Sequence, residues 1–359
     1  MKKVPKRRFK GFLNAGDWEQ RKLGELLEQP ITDGPHETPE LYDSGIPFIS
    51  VDAIIDNKID FTKMRGCISK EYDDICAKKY KPQINDVYLV KSGATIGKVA
   101  IVDTYDDFNI WSPLAAMRCG SITNPYFLYV LLQTKDLQTQ VFNKASHGTQ
   151  PNLSMRQLET FACKVPKIEE QILISRFFKR LNDSITLHQR KLEKLQATKK
   201  ALLYELFPIE NSRRPKLRFK GFTGDWEQRK LGDVVKRESV TQVSSTEYPA
   251  IEYEDVIPET GQLNKDIYKK GVQKAGILFD ANKVLYGKLR PYLHNWVAPM
   301  YKGVAVGDWW VLNPCGLDRG FLYTLIQTVK FDTIANQSTG SKMPRADWKL
   351  LSTTEFSIP

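Results

Sequence analysis

The eight residues Asp17-Trp-Glu-Gln-Arg-Lys-Leu-Gly24 recur unchanged as Asp225-Trp-Glu-Gln-Arg-Lys-Leu-Gly232. Just before them, Phe9-Lys-Gly-Phe12 returns as Phe219-Lys-Gly-Phe222. Each copy is far longer than the roughly 20–45-residue unit of a solenoid, which stacks many short repeats. The repeat therefore predicts two domains produced by tandem duplication.

Two weaker repeats lie further along, in the same order. Residues 126–134 have a counterpart in residues 320–328, and Val165-Pro166 corresponds to Ile358-Pro359 at the end of a strand-like run. Between these blocks the two copies share little sequence. We interpret this as a duplication in which the repeated blocks have stayed similar and the segments between them have diverged.

Composition and charge agree with two folded domains. The chain has 359 residues, of which 41% are hydrophobic and 26% charged. At roughly 150 residues per domain this length suggests two domains, and the composition excludes a disordered or fibrous protein. Lysine and arginine number 53 against 42 acidic residues, giving a net charge of +11. Such an excess favours polyanionic partners.

The cysteines and the apolar runs indicate a cytoplasmic protein. The five cysteines are scattered, odd in number and form no CxxC pair. A disulfide framework or zinc knuckle is not expected, and a reducing compartment fits best. No apolar run approaches the ~20 residues of a membrane span. The basic start, residues 1–8, lacks the apolar core of a signal peptide.

A long helix is predicted between the two copies. Residues 167–207 contain no glycine or proline, and apolar residues recur at heptad spacing. At 1.5 Å per residue the helix would be about 60 Å long. It could pack on one domain, but we favour a coiled-coil spacer that needs a partner helix. The predicted subunit-interface residues of this seam are Ile174, Phe178, Leu181, Ile185, Leu192, Leu195, Leu202 and Leu206.

Each copy reads as a mixture of strands and helices, so the expected class is α/β of the mixed α+β kind. Residues 86–91 and 98–103 are predicted as strands around a turn at Ser92-Gly93, and residues 283–287 as the corresponding strand of the second copy. A helix is predicted to start at Pro125. The predicted limits are one domain at 1–166, the spacer helix at 167–207 and a second domain at 208–359.

No catalytic or metal site is predicted. The turn Ser92–Val99 resembles a phosphate-binding loop, but only three residues separate its glycines and Val99 follows the lysine. The four histidines are scattered, without a metal-binding spacing. Glu252, Glu254 and Asp255 could suggest a nuclease, but no suitably spaced lysine follows them. We therefore expect no bound metal and no catalytic residue.

Polar loops of both copies are the best candidates for contact with nucleic acid. Amide side chains can pair with adenine edges and arginine or lysine with guanine edges, whereas lysine and serine more often bind phosphates. The candidate DNA-binding residues are Lys91, Ser92, Thr95, Lys98, His147, Thr149, Gln150 and Asn152 in the first copy, and Lys288, Arg290, Tyr292, Ser338, Thr339, Ser341 and Lys342 in the second.

The order of these blocks resembles that of a specificity (S) subunit of a type I restriction-modification system. The resemblance rests on the repeated opening at 17–24, the turn at 92–98, Gly148–Ser154, and Val165-Pro-Lys-Ile-Glu-Glu-Gln171 before a long helix. It implies two target recognition domains, each reading one half of a split site in double-stranded DNA. Family members also carry a second long helix after the second domain, and this sequence stops at Pro359, where that helix would begin.

The resemblance also implies partners. Methyltransferase (M) subunits would dock on the helical regions, and restriction (R) subunits would supply the motor and nuclease. S-adenosylmethionine would be bound by M, and ATP and magnesium by R, so this chain is expected to bind no cofactor itself. Self-association through the spacer helix is also expected. The alternatives are a self-contained nuclease and a helical scaffold whose basic charge is incidental.

Overall fold

The computed structural model describes residues 5–146, 150–209, 212–269, 273–337 and 343–359. The chain divides into two compact units, Met1–Gln189 and Arg190–Pro359. Each unit combines helices with small sheets, as the sequence predicts. The division falls inside the long helix, so a separate spacer segment at 167–207 stays a prediction.

The first unit alternates short strands with helices. Its strands are β1 (Glu19–Lys22), β2 (Thr32–Asp33), β3 (Ile46–Ile49), β4 (Ile54–Ile55), β5 (Lys58–Ile59), β6 (Gly66–Ile68), β7 (Val87–Val90), β8 (Val99–Ile101), β9 (Asn109–Ile110), β10 (Leu114–Met117) and β11 (Ala162–Val165). Its helices are α1 (Lys70–Ala77), α2 (Pro125–Leu132), α3 (Lys135–Lys144), α4 (Met155–Glu159) and α5 (Ile168–Glu205), which runs on into the second unit.

The second unit repeats much of this order. Its strands are β12 (Glu227–Lys230), β13 (Val235–Arg237), β14 (Thr241–Val243), β15 (Ala250–Ile251), β16 (Val256–Ile257), β17 (Gln262–Leu263), β18 (Ala275–Phe279), β19 (Val284–Gly287), β20 (Trp296–Val297), β21 (Gly303–Ala305), β22 (Trp309–Pro314) and β23 (Glu355–Ile358). Its shorter helices are α6 (Leu231–Val234), α7 (Arg319–Leu325), α8 (Val329–Ala335) and α9 (Trp348–Thr353).

The repeated octapeptide forms the strand that closes each unit. In the first unit β1 pairs antiparallel with β11, and Glu19 lies opposite Val165. In the second, β12 pairs with β23 in the same way, and Glu227 lies opposite Ile358. The first and last strands of each unit are therefore neighbours, which explains why these two blocks recur together in the sequence.

The segments between the repeated blocks differ in sequence, but in each unit they form a central four-stranded sheet. Its strand order is β2-β10-β7-β8 in the first unit and β13-β22-β19-β20 in the second. Every residue of β7 is buried because the sheet is covered on both faces: Val87 and Leu89 lie in one core cluster, and Tyr88 and Val90 in another. β19 does the same, with all four residues buried. Topology has thus been kept where the sequences differ.

The start of α5 is fixed to the first unit by buried polar contacts. Gln171 is 1% exposed, and its amide donates to the carbonyls of Ile122 and Pro166 at 3.0 and 2.9 Å. The Ser175 hydroxyl donates to Asn124 Oδ1 at 2.7 Å. Further along, contacts with the first unit continue at Asn182, which donates to the Tyr126 hydroxyl at 2.9 Å, while the apolar Leu187 is already 66% exposed. Within the described residues, no helix is both long and apolar enough to cross a bilayer.

Candidate nucleic-acid interface

Two of the predicted loop regions of the first unit lie side by side. The backbone N–H of Gly93 donates to the Pro151 carbonyl at 3.0 Å, and that of Leu153 donates to the Lys91 carbonyl at 2.8 Å. Ser92 and Asn152 form the β-bridge between these bonds. We call residues 91–98 with 150–153 site 1. His147 and Thr149 lie outside the described residues.

The second unit builds the same arrangement from different residues. The N–H of Arg290 donates to the Pro344 carbonyl at 2.7 Å, and that of Ala346 donates to the Lys288 carbonyl at 2.8 Å. Leu289 and Arg345 form the bridge. We call residues 288–292 with 343–346 site 2. The predicted residues Ser338, Thr339, Ser341 and Lys342 lie outside the described residues.

These backbone bonds give a residue-by-residue correspondence between the sites. Lys91 corresponds to Lys288, Gly93 to Arg290, and Asn152 to Arg345. Both sites have a lysine at the first position. At the other two positions site 1 has uncharged residues and site 2 has arginines. The scaffold is therefore duplicated but the side chains that it presents are not.

Lys91 is placed differently from what its assignment as a phosphate-binding residue requires. It is 8% exposed, and its Nζ lies 3.3 Å from Asp33 Oδ2, a carboxylate that also pairs with Lys79 and, at 3.2 Å, with His36. A phosphate contact would first require this interior ion pair to open. Sequence reasoning missed the pair because Asp33 is distant in the chain and reaches Lys91 only across the central sheet.

The remaining described candidates of site 1 are more accessible. Gln150 and Asn152 are exposed, and Ser92, Thr95 and Lys98 are half-buried. Lys98 donates from Nζ to the Ile54 carbonyl at 3.1 Å, which anchors its head on the first unit. Gln150 and Asn152 are thus the site-1 side chains best placed to meet an external partner.

Site 2 carries a basic cluster around Asp308. Arg345 Nε and Nη2 each lie 3.1 Å from a different oxygen of Asp308, and Lys288 Nζ lies 3.6 Å from Oδ1. The hydrogen bonds from Arg345 hold the pKa of Asp308 below its ordinary value. Arg345 is not among the DNA-binding residues predicted from the sequence. Its position shortly after the polar loop 337–342 is the feature from which it could have been predicted. Tyr292 is 53% exposed beside this cluster in the chain.

The predicted seam of α5 is mostly open. Ile174 packs against the first unit's core, whereas Leu206 is half-buried. The other predicted interface residues are exposed by 37–57%, namely Phe178, Leu181, Ile185, Leu192, Leu195 and Leu202. Ile174 is therefore a core residue of the first unit rather than a free interface residue. The interface role of the others stays a prediction.

The second unit also has a groove of about 500 Å³ beside the end of α5. Phe207, Leu325, Ile334 and Phe356 contribute to its apolar wall, and Lys330 contributes a cation. Burial lowers the pKa of Lys330. No acidic or metal-ligating group accompanies the lysine among the described lining residues, so the groove offers no evident chemistry.

The described residues show no grouping suited to catalysis. They contain no cluster of three or more metal-ligating side chains. Burial raises the pKa of Cys119 and of Cys163 to about 12, which keeps both thiols protonated. Asp255 accepts from the Glu252 N–H at 2.7 Å and pairs with Lys265 at 2.8 Å, so it shapes a turn and does not form an open nuclease site.

Comparison with known proteins gives consistent relatives. The profile described as "Type I restriction modification DNA specificity domain" matches residues 15–197, half of the chain. A putative type I restriction enzyme MjaX specificity subunit of Methanocaldococcus jannaschii is 27% identical over 225 residues, covering 60% of this chain and 52% of that protein. The EcoBI specificity subunit of Escherichia coli is 29% identical over 175 residues, or 47% of this chain and 36% of that one. The chain thus matches about half or less of these relatives.

Solved structures show the same fold. The type I S subunit from M. genitalium superposes with a TM-score of 0.59 at 15% identity, covering 96% of this chain and 85% of that one. A chain from a structure of an assembled type I restriction-modification system gives 0.50 at 14% identity, covering 95% and 86%. At such identities the match establishes the architecture of two units and a long helix, and no more.

Proposed function

Since the chain belongs to the family of type I restriction modification DNA specificity domains, we propose that it binds double-stranded DNA as the specificity subunit of such a system. Each unit would read one half of a split site, and partner subunits would methylate or cleave the DNA. The chain itself would recognise its target without catalysing a reaction.

The observation that carries this proposal is the duplicated scaffold with different side chains. Sites 1 and 2 share the same pair of backbone hydrogen bonds, yet Gly93 stands where site 2 has Arg290, and Asn152 where it has Arg345. A duplicated reader with exchanged side chains contacts two different base sequences in equivalent geometry. We therefore expect an asymmetric, bipartite target.

Charge supports the same partner. The net charge of +11 attracts a polyanion, and phosphate contacts would provide affinity that falls steeply with salt. Base contacts from the two sites would then add selectivity to this non-specific attraction. Neither a nuclease nor a scaffold explains why two equivalent loop sites have been kept.

The partners are proposed from the family. M subunits would bind along α5, whose exposed seam offers an apolar surface, and would carry S-adenosylmethionine; R subunits would carry ATP and magnesium. The exposed seam is the surface that supports such docking. We also propose a cytoplasmic location, where DNA and these subunits are found together.

Methylome sequencing of cells that carry this chain with its M subunit tests the proposal. The expected result is one modified motif with two unlike halves and a fixed gap. A symmetric motif, or none beyond that of cells lacking the chain, would contradict it. DNA cleavage by the purified chain with magnesium alone would instead support the nuclease.

A further inference from the structure

Arg290 has a backbone conformation that favours glycine. Its φ and ψ are 48° and 66°, in the left-handed region. Gly93, its counterpart in site 1, has φ +97°. Left-handed backbone costs an ordinary L-residue free energy that glycine does not pay. Arg290 therefore occupies a turn in which glycine would have the lower backbone free energy.

The turn also holds Arg290 rigidly. Its N–H is fixed on the Pro344 carbonyl at 2.7 Å, β19 ends three residues before it, and Pro291 begins a short 3₁₀ turn directly after it. Tyr253 donates its hydroxyl to the carbonyl of the preceding residue, Leu289. The side chain thus leaves a backbone that is constrained on both sides.

The guanidinium of Arg290 is incompletely paired. Its Nε is buried and has no hydrogen-bond partner among the described residues. The carboxylate of site 2, Asp308, is already engaged by Arg345 and Lys288. A buried donor without a partner is normally costly, and it leaves the guanidinium without an internal partner on that side. The donors that an external acceptor could reach are the terminal Nη1 and Nη2 of this half-buried residue, which make no hydrogen bond among the described residues.

We propose that Arg290 reads a guanine in the half-site bound by the second unit, and that the first unit has no corresponding reader because Gly93 has no side chain. This inference rests on the proposed DNA-binding function. A guanidinium presents a planar fork of donors that matches guanine O6 and N7. An added Cβ at Gly93 would meet no neighbouring atom within 4 Å, but the φ of +97° would strain any L-residue there, so the backbone of the first unit favours glycine at this position.

A base contact explains these features better than a phosphate contact. Phosphates are bound both by flexible lysines and by arginine forks, so a phosphate contact does not in itself require a fixed turn or a planar head. A rigid backbone and a planar donor set are needed where two acceptors must be matched at once. Arg290 has both, whereas a lysine has no planar head.

The test selects bound duplexes from a pool with a randomised central segment, using the full chain. Wild type is compared with Arg290→Gly, Arg290→Lys and, as a control, Arg229→Ala, an exposed arginine on β12. Glycine suits the left-handed turn, so Arg290→Gly is expected to keep or raise the thermal midpoint. Lysine retains the positive charge but loses the fork.

We expect wild type to select guanine at one position of one half-site. Both Arg290 variants should lose about 5- to 150-fold preference at that position alone, and Arg229→Ala should keep it. An unchanged motif, or an even loss on all duplexes with a weaker salt dependence, would overturn the inference, the second outcome indicating a phosphate contact. If wild type selects no motif at all, the proposed function itself fails.

Discussion

Arg8 and Glu170, 162 positions apart, form a two-point ion pair in which Nε and Nη2 of the arginine each lie 2.7 Å from a different carboxylate oxygen. Their side chains are 8% and 2% exposed. The pair ties the segment before β1 to the first turn of α5. Together with Gln171 and Ser175, this pair holds the start of α5 on the first unit.

Removing this pair should loosen the start of α5. Arg8→Ala leaves Glu170 buried without its cation, and losing one member of a buried pair costs about 3–5 kcal/mol. Hydrogen exchange of residues 168–175 should become faster. The matched control is Arg21→Ala, whose partner Glu19 is 67% exposed, and it should change stability by less than about 1 kcal/mol. Equal effects of the two variants would show that the buried pair has no special role.

Lys91→Ala should act on stability before it acts on DNA. The variant removes one of the cations around the buried Asp33, but Lys79 still pairs with this carboxylate. We therefore expect the free energy of unfolding to fall by about 2 kcal/mol, less than the ~3–5 kcal/mol expected for a buried carboxylate that has lost its only cation. Urea unfolding of the first unit measures it. Full stability with evenly weakened DNA binding would restore the phosphate role.

Gln150→Ala is the matched variant on the same site. Because Gln150 is exposed, the change should leave the urea midpoint unaltered. If Gln150 contacts a base, the variant should cost about 1–3 kcal/mol of binding at one target position. Titration of matched and singly mismatched duplexes distinguishes this from an even loss.

Acid should destabilise the first unit through Asp73. Burial pushes the pKa of this carboxyl upward, but hydrogen bonds from Lys81, Asn109 and Lys70 outweigh it and hold the pKa below its ordinary value. A lowered native pKa contributes stability above the unfolded value of about 3.9, and this stability is lost as pH falls through the native pKa. Urea midpoints of the first unit should therefore fall steeply below about pH 4.

Asp73→Asn should lower the midpoint at neutral pH and flatten its dependence on acid pH. Asp74→Asn is the control, since that neighbour is 63% exposed and pairs only with Lys70 among the contacts described. A pH profile that is identical in wild type and Asp73→Asn would assign the acid sensitivity to other carboxyls.

The exposed seam of α5 should drive association. Ile185, Leu192 and Leu195 are 47%, 56% and 57% exposed, and burying each would contribute about 1.5–3 kcal/mol. We expect the purified chain to form a dimer, detected by light scattering during gel filtration. Leu192→Asp should shift it towards monomer, and Ala197→Asp, on the opposite side of the helix, should not. A monomer at tens of micromolar whose mass Leu192→Asp leaves unchanged would refute the prediction.

Local patterns predicted the elements well. The helix expected at 167–207 is observed at Ile168–Glu205, and the turn expected at Ser92-Gly93 lies between the paired strands β7 and β8. These features depend on periodicity and on glycine, which are visible within a few residues. The duplication likewise predicted two units, because the repeated blocks are the strands that close them.

The site could be predicted only in part, because its decisive contacts are long-range. Whether Lys91 is free depends on Asp33, and whether Lys288 is free depends on Asp308. Neither carboxylate stands near its lysine in the sequence. The correspondence of the two strands was predicted, but the backbone hydrogen bonds that pair Gly93 with Pro151 and Arg290 with Pro344 join segments far apart in the sequence and could not be.

The pairing of first and last strands has a mechanical consequence. Glu19 lies opposite Val165, so the chain enters and leaves the first unit at the same end of one antiparallel ladder. Tension applied between the segment before β1 and α5 would act at the Glu19–Val165 end of the ladder. The ladder would therefore open one hydrogen-bond pair at a time, and its bonds would not all be sheared together. The second unit has the same geometry at Glu227 and Ile358. Under load the closing strands should thus separate before the central sheets that present the two sites, in the first unit once the Arg8–Glu170 pair, which joins the same two segments, has broken.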